Sequence, residues 1–236
     1  MANKYGLGLV PSPVDPRDFQ IEQLLAAPSE PLPPIYRVWQ DGGVPLVIDQ
    51  GKSPMCVAYA SSGVKSYQEI RDEGRYKEFD EPWLYRRCKE RDGIPFSDGT
   101  YLRVALKVLK DLGVPSKRPF ANDAAQHKIA AYYSVPVDVE TVKQTLVQHG
   151  PVLMGLTWYN SWFTPRSNGV LPAPDVAIGG HATYVFGWDD NRGFYVRNSW
   201  GKGWGPLNGN FIMPYDSFTR PGVVHDLWRS IDAVGS

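Results

Sequence analysis

No apolar run in this chain approaches the roughly 20 residues that span a bilayer, and no basic excess marks a polyanionic partner. Lys plus Arg number 25 and Asp plus Glu 25. That balance argues against nucleic acid or an anionic membrane as the main partner, since both call for net positive charge. Cysteine is scarce. Cys56 and Cys88 are the only two, which allows at most one disulfide and excludes a disulfide scaffold. Two cysteines cannot build a four-cysteine zinc site, and His127, His149, His181 and His225 show no paired spacing on one helix face. The expectation is chemistry carried by side chains, with no metal and no cofactor. Residues 1–8 hold no apolar stretch of the secretory kind, so a reducing, cytoplasmic setting is expected. Internal repeats and low-complexity tracts are also missing.

What is present suffices for one substantial core or two lobes sharing a cleft: 236 residues, 42% hydrophobic and 13% aromatic. The first 45 residues carry eight prolines, Pro11, Pro13, Pro16, Pro28, Pro31, Pro33, Pro34 and Pro45. Proline fixes φ and removes the amide donor, so residues 1–45 read as an extended arm lying on a surface it does not build. From Cys56 to Glu73, Val57, Ala60, Val64, Tyr67 and Ile70 recur at steps of three and four, predicting a helix closed by Gly74. Further helices are predicted over 100–112 and 138–149, the latter with Val142, Leu146 and Val147 inward and His149 as a cationic cap. A short helix is expected around 83–89. Strands are predicted at 152–159, 181–188, 194–200 and 208–215, rich in β-branched and aromatic residues. Helices first and antiparallel strands second give an α+β class, with a helical lobe facing a sheet lobe across a cleft.

Cys56 stands at the start of the first strong helix, where unpaired amides favour thiolate over thiol; a buried apolar role is the commoner fate of a free cysteine. Gln50 precedes it by six residues across a turn with Gly51 and Pro54. Its amide can fold back to join the Cys56 backbone amide as an oxyanion-binding pair. His181 follows Gly179-Gly180 at the start of a predicted strand. Asn198, ending the next one, can set the imidazole tautomer, and Trp200 can shield that bond from water.

The run Asp49-Gln50-Gly51-Lys52-Ser53-Pro54-Met55-Cys56-Val57-Ala58-Tyr59-Ala60 resembles the active-site segment of papain-like cysteine peptidases. So do Gly180-His181-Ala182 with Gly187-Trp188, and Asn198-Ser199-Trp200-Gly201 with the glycine-rich stretch behind it. Gln, Cys, His and Asn come in the family's order, and the resemblance covers roughly residues 45–215. It implies a helical lobe and an antiparallel β-barrel-like lobe with the active site between them. It also implies a polypeptide substrate and a thiolate–imidazolium pair: Cys56 as nucleophile, His181 as its proton partner, Asn198 orienting the ring and Gln50 in the oxyanion hole. Gly99 and Thr100 fall where the family pairs with the substrate backbone. Gly180 is expected to line the specificity pocket, with Trp200 beside it. Val57 stands where the family often has tryptophan, and Ser53 where it often has a disulfide cysteine.

The domain reading is an arm over 1–45, the candidate pro-segment, in contact with the catalytic lobes, and a catalytic domain over 46–236. Its helical lobe covers about 50–135 and its β lobe about 136–220. Elsewhere the expectations are plain. Cys88 is structural, His127 and His225 are surface residues, and the charged stretch 69–78 is a solvated helix face. Trp188, Trp200 and Trp204 belong to the sheet core, whereas Trp158 and Trp162 are placed on a pocket wall. A Cys–His amidase or transglutaminase-like enzyme and a catalytically silent binding protein of the same fold are the alternatives.

Overall fold

The computed structural model describes residues 5–28, 30–39 and 45–233; the arm's expected end near 45 adjoins residues 40–44, which lie outside them. In chain order the elements are β1 (Ile35–Arg37), α1 (Cys56–Glu73), α2 (Glu81–Lys89), α3 (Leu102–Asp111), β2 (Ile129–Ser134), α4 (Val139–His149), β3 (Val152–Tyr159), β4 (Ala177–Asp189), β5 (Gly193–Arg197), β6 (Asn210–Met213), α5 (Tyr215–Phe218) and β7 (Val224–Asp232). Each long helix has a local cause. Gly74, at φ 68°, closes α1 by donating its amide to the Ile70 carbonyl. Asp80 and Asp138 cap α2 and α4 through their carboxylates.

The strands form one antiparallel sheet in the order β2-β7-β3-β4-β5-β6, with β1 paired to β4. The terminal strands β2 and β6 do not pair, so the expected barrel-like lobe is an open sheet. α1, α2 and α3 cover one side through Val64, Leu84, Leu102, Leu106 and Leu109. A second apolar cluster, built on Trp158, Trp188, Phe194 and Phe211, fills the other side against α4. No described helix is long and apolar enough to cross a membrane.

Several expectations are corrected by packing. The arm helps to build the cores: Leu9 and Ile21 are buried within them, because an extended segment with isolated large apolar residues gains by plugging them between elements. Val147 faces solvent at 41% exposure. Trp158 and Trp162 are fully buried, packed edge to face at 5.6 Å, and so form core rather than pocket wall. His127 is buried, with Nδ1 3.0 Å from Glu69 Oε1. Glu69 is buried too, bridged to Lys65 and Lys77, so the charged stretch is partly an internal ion network. His149 is held below its ordinary pKa, first by burial and then by Arg229, which disfavours the expected cationic cap.

Candidate active site

Cys56 begins α1 with its side chain fully buried. Burial pushes the thiol up to about 12, only partly offset by the backbone amides of Ala182, Gly8 and Val57 near the sulfur. His181 lies inside β4 opposite Leu156, not at a strand start, because β4 begins four residues earlier. Its Nε2 is 2.8 Å from Asn198 Oδ1. An amide oxygen accepts, so Nε2 carries the proton and Nδ1 is left as the acceptor. Nδ1 is buried and has no hydrogen-bond partner among the described residues. Ala182, next in the chain, is among the backbone neighbours of the Cys56 sulfur, and α1 packs against β4, the strand that carries His181. Trp200 stacks on the ring at 4.6 Å, and Trp158 meets it edge-on at 5.1 Å. Burial in this aromatic box pushes the imidazole down to about 4, against the Asn198 bond, which raises it.

Gln50 is tied to the loop after β5. Its backbone N–H donates to the Ser199 carbonyl at 2.8 Å, and its side-chain Oε1 accepts from Ser199 Oγ at 2.5 Å. With Oε1 taken, the side-chain N–H₂ must face the cleft, where it donates to Ser53 O at 2.8 Å and Gly6 O at 3.2 Å. Ser199 was missed by sequence reasoning. Its only signal was its place next to Asn198.

The arm runs through this cleft. Gly8 and Leu9 donate their amides to the Gly180 carbonyl, both at 3.1 Å. Thr100 donates to Gly8 O at 2.9 Å and accepts from Val10 N at 2.9 Å, a parallel bridge with Leu9 opposite Thr100. Tyr5 stacks on Trp200 at 4.6 Å. Glycine is required at two arm positions: a Cβ at Gly6 would run into the Ser53 carbonyl, and one at Gly8 into the Pro54 carbonyl. Gly99 packs against Val10 and the Gly8 carbonyl. Of the eight residues singled out from the sequence, six (Gln50, Cys56, Gly99, Thr100, Gly180 and Trp200) contact the arm, and the other two, His181 and Asn198, are bonded to each other.

Residues 39–223 match the sequence model described as papain family cysteine protease. The chain belongs to that family. As a papain-family enzyme it is a hydrolase of the cysteine endopeptidase class. It is 27% identical over 213 residues to an uncharacterized peptidase C1-like protein of Acanthamoeba polyphaga mimivirus, covering 77% of this chain and 68% of that one. It is 26% identical over 207 residues to a cysteine protease of Blomia tropicalis, covering 76% of this chain and 60% of the relative. Among solved structures, xylellain, a cysteine protease from Xylella fastidiosa, superposes with a TM-score of 0.82 at 25% identity over 99% of both chains. This papain-type protease thus spans about two thirds of the length of those two sequence relatives.

Proposed function

We propose that Cys56, His181, Asn198 and Gln50 hydrolyse peptide bonds, and that arm residues 5–12 keep this centre closed. In the open form His181 Nδ1 takes the thiol proton. The thiolate attacks the peptide carbonyl carbon, and the imidazolium then protonates the departing amine. Water hydrolyses the resulting thioester, with His181 again as base. Asn198 Oδ1 holds the ring through Nε2. Gln50 Nε2 donates to the oxygen that gains charge, where preorganised donors contribute most. Residues 46–236 form the catalytic unit in this reading, and residues 1–45 the arm. The polypeptide substrate pairs with Thr100 and Gly180 as the arm does.

The observation that carries the proposal is the Gln50 Nε2 bond to the Gly6 carbonyl: an arm peptide oxygen already occupies the donor meant for the substrate's. Closure also sets the charge state. With the thiol near 12 and the imidazole near 4, the neutral pair prevails at pH 7. Opening hydrates both groups and returns them toward about 8.5 and about 6.5, where the start of α1 favours the thiolate.

The test is Gly8→Ala in the full chain. A methyl group there collides with the Pro54 carbonyl and dislodges the arm. Peptide hydrolysis and alkylation of Cys56 should both rise above the parent. Unchanged rates with the fold intact would remove the arm from its blocking role.

A further inference from the structure

We propose that Lys89 is a positioning residue for the substrate backbone, acting through the Gly99–Thr100 peptide; this rests on the reading of Thr100 as a substrate contact. Lys89 ends α2 and points its ammonium into the loop 92–99. Its Nζ donates to three main-chain carbonyls, Ile94 at 3.1 Å, Ser97 at 2.7 Å and Gly99 at 3.0 Å. An ammonium has three N–H bonds, so all three are used. Asp92 Oδ2, buried and 2.7 Å from Nζ, supplies the countercharge, while Asp92 Oδ1 accepts the Ile94 amide at 3.0 Å. The loop is thus folded around a fixed cation.

The third of these carbonyls matters most. Gly99 C=O and Thr100 N–H belong to one planar peptide unit. Lys89 grips its oxygen, and its N–H donates to Gly8 O across the groove at 2.9 Å. Fixing the oxygen fixes the direction of the N–H. A cation on the carbonyl also polarises the amide and strengthens it as a donor. Gly99 has no side chain to hold this plane, and a Cβ there would press on Val10 and the Gly8 carbonyl. The orientation must come from elsewhere, and Lys89 supplies it. Whatever backbone lies in the groove, arm or substrate, is met by a donor aimed from α2.

The experiment has two readouts in the full chain. In the Gly8→Ala background, Lys89→Met should raise KM for a peptide about tenfold, from a charge-assisted hydrogen bond lost on one side of the substrate, with kcat within about twofold. With the native arm, Lys89→Ala should speed alkylation of Cys56. Methylammonium, which restores a charge with three N–H donors, should slow it again; tetramethylammonium, which has no N–H, should not. An unchanged KM, a loss confined to kcat, or a lower melting temperature with neither KM nor alkylation altered would overturn the proposal. If Gly8→Ala hydrolyses nothing, the peptidase centre is at fault, and alkylation with its methylammonium rescue still decides the role of Lys89.

Discussion

At the residue scale the site is a set of oriented hydrogen bonds, and each can be cut separately. Gln50→Ala removes the side-chain donor now on Gly6 O and should cost about 2.7–4 kcal/mol of barrier in the opened chain, read as kcat. An unaltered kcat would take Gln50 out of the oxyanion hole. Another residue prediction lies away from the chemistry. Glu81 is fully buried, with neither carboxylate oxygen hydrogen-bonded among the described residues and Lys117 3.7 Å away. Burial raises it from 4.5 to about 7. Its folded pKa lies above its unfolded one, so the contribution is fully present below about pH 4.5 and is lost as pH rises through about 7. Over that window the chain should lose about 3 kcal/mol, and Glu81→Gln should flatten the dependence. Denaturant melts at pH 4.5 and pH 8 check this; equal losses in parent and variant would exclude Glu81 as the cause.

At the scale of elements, legibility followed the simplicity of the burial pattern. α1 was readable to the residue because its apolar stripe is bounded by Pro54 and Gly74, and β3 because its apolar run ends cleanly. β7 was not foreseen: its sequence mixes His225, Asp226, Arg229 and Asp232 among apolar residues, yet Asp226, Arg229 and Asp232 are buried. Charged residues buried inside the fold hide the alternation on which a strand prediction depends. Glu69 and His127 misled for the same reason, since a buried ion network reads in one dimension as a solvated face. The candidate site residues Gln50, Cys56, His181 and Asn198 could be singled out because they stand at element boundaries or in glycine-flanked runs. Ser199 and Lys89 could not be, because Ser199 meets Gln50 only in the folded chain and Lys89 acts through carbonyls of a loop whose shape no residue pattern announces. One element carries its own test: the Asp138 carboxylate accepts the Thr141 amide and hydroxyl, both at 2.8 Å. Asp138→Ala should therefore cost about 1 kcal/mol of stability, measured by urea melts, and no loss would show the cap to be dispensable.

At the scale of the whole molecule, the arm is the element on which the proposed regulation rests. It stacks Tyr5 on Trp200, threads Gly6 and Gly8 past two carbonyls, buries Leu9 beside α3, and continues to Ile21 in the second core. Its proline content does not keep it on a neutral surface. Extended backbone without its own hydrogen bonds instead becomes the partner that an open groove lacks. In the proposed reading these contacts close the centre, while burial holds Cys56 and His181 toward their neutral forms. The most direct measurement is hydrolysis of a fluorogenic peptide by three full-length proteins: the parent, Gly8→Ala, and Gly8→Ala with Cys56→Ala. The account predicts slow turnover by the parent, a marked rise in the single variant, and loss of that rise by several orders of magnitude in the double variant. Turnover equal in parent and single variant, or turnover that survives without Cys56, would contradict it.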